Sequence, residues 1–121
     1  MGAIRYGFPR VLRLLKTDEF SSVFTLRASA SNGPFQVLAR PNGLPHARLG
    51  LVVGRRCDKR AVIRNFLKRT VRETFRQHAS AFAGFDFVVR VREPFARAGA
   101  MDARANLLQL MQRAVKRCPA P

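Results

Sequence analysis

Apolar and polar positions along the chain switch between two periods, and the switches mark its elements. Thr17-Asp18-Glu19 offers a side-chain cap and first-turn acids. Phe20, Val23, Phe24 and Arg27 follow at spacings of three and four, which predicts a first helix. The stretch 29–34, rich in Ser, Asn, Gly and Pro, is expected to end that helix and turn the chain. Residues 35–39 read as a strand, Pro41-Asn42-Gly43 with Pro45 as a turn, and residues 49–53 as a second strand with Leu49, Leu51 and Val53 on one face. The short connection predicts a hairpin between these two strands. Helical spacing then runs over 61–78, followed by a loop at 82–84. A strand over 86–92 turns Phe87, Val89 and Val91 inward, sets Arg90 and Arg92 on the opposite face, and is stopped by Glu93-Pro94. The last helix, over 100–117, has Leu107, Leu108, Met111, Ala114 and Val115 on its core face. Asp102 near its start and Arg113, Lys116 and Arg117 near its end complement its dipole. The order α-β-β(-β)-α-β-α predicts an α+β domain with helices packed on one small sheet.

A length of 121 residues fits a single domain over 1–121, with residues 1–7 as candidates for disorder. Hydrophobic residues make up 47% and ten are Phe, enough to build a core without disulfides or metals. Charge changes the picture most. Twenty-three basic residues against seven acidic ones give +16, and nineteen of the twenty-three are Arg. The planar guanidinium fork suits phosphate, so this bias points to a polyanionic partner that offsets the self-repulsion. No apolar run reaches the length of a membrane span, and residues 1–8 lack the apolar stretch of a secretory signal. Cys57 and Cys118 are therefore expected as reduced thiols in the cytoplasm. His46 and His78 stand apart from any Cys/His pattern that would ligate a metal, so no metal site on the protein is assignable.

The strongest signal is the segment 55–76, with nine basic residues and only two acids, Asp58 and Glu73. At about 100° per residue, Arg64, Asn65, Lys68, Arg69, Arg72 and Arg76 fall within an arc of roughly 140°. Ile63, Phe66, Leu67, Thr70, Val71 and Thr74 take the opposite arc, with Glu73 on the flank. Like charges at i, i+4 destabilise an isolated helix, and a phosphate backbone laid along the stripe would compensate. A solvated helical face is the bland alternative. The one-sided arc, the scarcity of acids and the Arg bias favour polyanion binding, without choosing between RNA and DNA.

The same stretch resembles a known family. Arg48-Leu49-Gly50-Leu51-Val52-Val53-Gly54-Arg55-Arg56, followed by Ala61-Val62-Ile63-Arg64-Asn65-Phe66-Leu67-Lys68-Arg69-Thr70-Val71-Arg72-Glu73, is similar to the bacterial ribonuclease P protein component. That family's signature is a strand ending in two basic residues, then a helix of the Arg-Asn-Arg-x-x-Lys-Arg-x-x-Arg type. The resemblance extends to Phe8-Pro9-Arg10 with Arg13-Leu14-Leu15, to the 20–24 helix and to Asp86-Phe87-Val88-Val89. Two positions depart from it: Phe66 stands where the motif usually has its second Arg, and Cys57-Asp58-Lys59-Arg60 replaces a loop that commonly carries Gly.

The resemblance implies a protein subunit of a tRNA 5′-leader endoribonuclease, in which a catalytic RNA with Mg²⁺ performs the hydrolysis and the protein carries no catalytic group. Its partners would be ribonuclease P RNA and precursor tRNA, bound by a monomer in a 1:1 ribonucleoprotein, with no membrane. Arg55, Arg56, Arg60, Arg64, Asn65, Lys68, Arg69 and Arg72 would face the catalytic RNA. Asn65 is able to donate and accept towards a 2′-hydroxyl or base edge. A leader-binding cleft would draw on Phe20, Phe24, Phe35, Arg90 and Arg92, with bases on aromatic faces and guanidiniums on phosphates. By spacing alone, two Phe at i, i+4 are more often core than a ligand platform, and Arg90 and Arg92 are as readily a solvated strand face. The resemblance also implies a left-handed strand–helix–strand crossover from the strand near Val53 to the one near Asp86, against the general rule of hand.

Three rivals share the basic helix: a ribosomal or RNA-chaperone protein, a DNA-binding regulator reading with residues 61–76, and a stand-alone nuclease. The stripe holds few groups able to read base edges, which disfavours the regulator. The acids are scattered rather than paired for metal, which disfavours the nuclease.

Overall fold

The computed structural model describes residues 28–118. The helix expected around Phe20 and Phe24, the basic lead-in and residues 1–7 lie outside the described residues. Four strands form one sheet: β1 (Ala28–Asn32), β2 (Phe35–Pro41), β3 (Arg48–Val52) and β4 (Phe85–Val91). Two helices, α1 (Ala61–His78) and α2 (Ala100–Arg117), have the bounds that their apolar spacing predicts. Short 3-10 turns at Ala79–Phe82 and Arg97–Gly99 follow α1 and precede α2.

The strand order is β1-β2-β4-β3, with β4 antiparallel to β2 and parallel to β3. This corrects the expected hairpin between the second and third strands, because β4 lies between them. Its Phe87, Val88 and Val89 are fully buried, so it is apolar on both faces and belongs in the centre of a sheet. The connection 42–47 is wide enough to straddle it, and neighbouring strands are about 4.8 Å apart. Asn42 N–H donates to the Gly84 carbonyl, and Gly84 N–H donates to that of His46, so the connection grips the entry to β4 from both sides.

The true hairpin is one strand earlier. The polar stretch 29–34 does not simply turn the chain: Ala28–Asn32 pairs with β2, from Asn32 opposite Phe35 to Ala28 opposite Ala39. Ala28 and Ala30 are buried while Ser31 is exposed, an alternation concealed by the small size of its apolar members. The turn is Gly33-Pro34, with Gly33 at φ 57°, a backbone region that favours glycine.

The register gives the sheet two unlike faces. Phe35, Val37 and Ala39 lie beside Phe87, Val89 and Val91, with Leu49 and Leu51 beyond, and both helices cover this face. Leu67, Val71 and Phe75 of α1 and Leu107, Leu110, Met111 and Ala114 of α2 complete the core. Burying each of the larger side chains contributes about 1.5–3 kcal/mol. Phe75 meets Phe87 edge-on, ring centroids 6.2 Å apart, which fixes α1 against β4. The other face carries Gln36, Leu38 and Arg40, then Asp86, Val88 and Arg90, then Arg48, Gly50 and Val52.

Candidate nucleic-acid interface

The strand β3 leads through Val53 and Gly54 into an exposed basic loop, and α1 then carries the charge across the surface. Asp58 organises this loop. It accepts hydrogen bonds from the Arg60 backbone N–H (2.8 Å) and from Arg60 Nε and Nη2 (3.1 and 2.9 Å). The side-chain and then the backbone hydrogen bonds from Arg60 hold its carboxyl down at about 2. Arg64 reaches back from the first turn and donates Nη1 to the Asp58 and Lys59 carbonyls at 3.0 and 2.9 Å.

No side chain caps the N-terminus of α1, and its first turn holds no acid. The positive end of the helix dipole is thus available to an external anion. Beside it opens a recess of about 560 Å³ lined by Arg55, Arg56, Lys59, Ala61 and Arg64. Behind the loop, burial pushes the Cys57 thiol above its ordinary value, and the charges of Asp58 and Glu93 add to the effect. Cys57 and Cys118 are both free thiols, and the upward shift at Cys57 disfavours its thiolate.

Along α1 the exposed face carries Asn65, Arg69, Arg72 and Arg76, with Arg64 and Lys68 half-buried at one edge. The helix is rolled slightly from the expected orientation. Phe75 falls angularly between Arg64 and Lys68 and is fully buried, so it draws their edge towards the core. On the other edge Phe66 is only half-buried, and Val62 is exposed among the cations. Arg55, Arg56, Lys68, Arg69 and Arg72 form no ion pair among the described residues, whereas Arg60 is paired with Asp58. Glu73 does not neutralise the stripe, because it is engaged by Arg104 of α2 at 2.8 Å.

The second expected surface is rearranged. Phe35 is fully buried on the helix-covered face, edge-on to Phe95 with centroids 5.7 Å apart, so it is core and not a stacking platform. Arg90 pairs in register with Gln36, one residue along, and successive side chains of a strand point to opposite faces. Arg90 is therefore exposed on the face away from Phe35, beside Val52. Arg92 lies past the strand end and donates Nη2 to the Gly33 carbonyl at 3.0 Å. Phe20 and Phe24 lie outside the described residues.

Sequence reasoning missed one polar centre altogether. Asp86 is fully buried, yet it accepts from Arg40, Asn42 and Arg48. Burial pushes its carboxyl up, but the hydrogen bonds from Arg48, Asn42 and Arg40 outweigh that and leave it below the ordinary carboxylate value. An acid between Phe85 and Phe87 in an apolar run was the available signal. Among the described residues no three His, Cys, Asp or Glu side chains gather as a metal site, and no helix is long and apolar enough to cross a membrane.

A strand ending in two arginines, an uncapped basic helix and a four-stranded mixed sheet form one arrangement, and comparison with known proteins places it. The family model for ribonuclease P matches residues 8–115. The chain belongs to the ribonuclease P protein family. It is 54% identical to the ribonuclease P protein component of Chromobacterium violaceum, over 95% of this chain and 94% of that protein. Identity to the Azoarcus protein component is 44%, over 84% of each chain. The solved RNase P protein of Thermotoga maritima superposes with a TM-score of 0.68 at 36% identity, covering 84% of this chain and 96% of that one. A mutant RNase P protein from Staphylococcus aureus gives a TM-score of 0.75 at 26% identity, over 87% and 89% of the two chains. The protein is thus an RNase P subunit, and its basic face is to be understood within that ribonucleoprotein.

Proposed function

We propose that the loop 54–60 and the exposed face of α1 bind the catalytic RNA of ribonuclease P, and that the chain thereby assists removal of the 5′ leader from precursor tRNA in the cytoplasm. The observation that carries this reading is the row of cations with no ion pair among the described residues, Arg55, Arg56, Lys68, Arg69 and Arg72, leading from the recess along one helical face. Arg and Lys there meet phosphates, while Asn65 is able to address a 2′-hydroxyl or base edge. Arg90, exposed beside half-buried Gln36 and Val52 on the sheet face opposite Phe35, is the described residue best placed to track a single-stranded leader.

Hydrolysis is assigned to the RNA and its Mg²⁺. A protein-borne metal nuclease needs converging carboxylates free to ligate. Asp86 is committed to two arginines and an asparagine, Asp58 to Arg60, and Glu73 to Arg104. One chain per RNA is the stoichiometry expected of a single such face.

Reconstitution tests the proposal. Protein mixed with a bacterial ribonuclease P RNA and a precursor tRNA at low Mg²⁺ is expected to stimulate leader cleavage, with no cleavage by protein alone. Absence of stimulation removes the function, and cleavage by protein alone moves the chemistry onto the polypeptide. In the same system Arg69→Ala weakens RNA binding and lowers the slope of log affinity against log salt by about one.

A further inference from the structure

Next to the basic face of α1 lies a cation from a distant part of the sequence. Arg97 sits in the turn between β4 and α2, with its guanidinium carbon 5.2 Å from the centroid of the Phe66 ring. Phe66 is itself held edge-on by Phe95, centroids 5.7 Å apart, and Phe95 in turn packs edge-on against the buried Phe35. The three rings form a continuous prop from the sheet core to the flank of α1. The contacts of Phe95 and Arg97 with Phe66 set this turn alongside the start of α1.

Arg97 is exposed, and no described carboxylate lies within ion-pair distance of it. Its guanidinium is positioned over the ring while none of its N–H groups has an acceptor among the described residues. On the helix, Phe66 is one turn beyond exposed Val62 and flanks the face of Arg69. We propose that Arg97, positioned by Phe66, is a further RNA phosphate contact, widening the basic surface of α1 onto the 93–97 turn. A cation–π contact fits this role, because it fixes the side chain without neutralising its charge.

This proposal rests on the α1 face being the RNA surface, and the experiment separates the two. Binding of full-length protein to ribonuclease P RNA is measured over a range of KCl for the parent, Arg69→Ala, Arg97→Ala and Phe66→Leu, with thermal melts in parallel. Arg97→Ala is expected to bind more weakly at every salt concentration and to lower the salt slope by about one. Phe66→Leu, which keeps the charge but removes the ring, weakens binding less and leaves the slope closer to that of the parent. If Arg69→Ala lowers the slope and Arg97→Ala changes only the melting temperature, the cation–π contact is structural and the inference falls while the interface stands. If neither arginine variant changes the slope, the interface itself is wrong and the inference falls with it.

Discussion

Arg48 grips Asp86 with two hydrogen bonds across the parallel pair β3–β4, Nε to Oδ1 at 2.8 Å and Nη2 to Oδ2 at 2.7 Å. Their Cα atoms are register partners, so this clamp sets the start of the strand that leads to Arg55 and Arg56 in the proposed RNA surface. Arg40 and Asn42 complete the set from the other side of β4. A buried carboxylate held this way matters mostly through what its removal leaves behind, namely two part-buried guanidiniums deprived of the charge that joins them. Asp86→Asn is expected to destabilise the fold by about 3–5 kcal/mol in urea denaturation. A loss under 1 kcal/mol contradicts the clamp.

The same group gives stability a pH dependence of known sign. The Asp86 carboxyl lies lower in the folded protein than its ordinary 3.8, so its contribution is complete above that value and is lost as pH falls through the folded one. Asp58, held at about 2, acts in the same direction. Unfolding free energy is therefore expected to decline as pH falls below about 4, and Asp86→Asn to flatten that decline. A variant with the parent's acid profile assigns the sensitivity elsewhere.

Phe35 tests the boundary between core and RNA surface. As the fully buried end of the prop through Phe95 to Phe66, Phe35→Ala is expected to cost about 3–5 kcal/mol of stability. Under conditions where the variant remains folded, precursor and mature tRNA are expected to lose affinity equally. Selective loss for the precursor, with stability intact, returns Phe35 to the leader site.

Much of this fold is legible from periodicity, and the exceptions have local physical causes. Both helices carry long amphipathic runs, so α1 and α2 emerge with their full bounds. The strand β1 is hidden because its buried positions are alanines set among serines, which resemble a loop by composition. The β2–β3 hairpin fails because strand adjacency depends on β4, a residue run buried on both faces that begins only at Phe85. The cations of α1 are legible by angle. Their states are not: the fold of the 54–60 loop lets Asp58 claim Arg60 and loop carbonyls claim Arg64, and Arg97 arrives from another part of the chain through a tertiary contact.

Gly33 makes the missed hairpin testable. At φ 57° a side chain is strained by about 1–2 kcal/mol, and a Cβ there would stand 3.2 Å from Asn106 Nδ2, whose amide bonds the Asn32 carbonyl. Gly33→Ala is thus expected to lower the melting temperature without altering the RNA salt slope. Unchanged stability contradicts the turn geometry.

Charge state, not charge count, decides what each cation of the proposed interface contributes. Arg72 is exposed on α1 without an acidic partner among the described residues, whereas Arg60 is bound through both its side chain and its backbone to Asp58. A cation already neutralised in the free protein displaces fewer counterions from RNA when it binds, so it adds less to the salt dependence. Arg72→Ala is expected to reduce the slope of log affinity against log salt by about one, and Arg60→Ala by clearly less. Arg60→Ala also frees Asp58, so its carboxyl is expected to titrate nearer 3.8 than about 2, as carboxyl NMR shifts can follow. Equal slope losses for the two variants mean that RNA pulls Arg60 away from Asp58 on binding. In that event the Asp58 carboxylate of the bound protein, and not only of the Arg60 variant, is expected to move up towards its ordinary value.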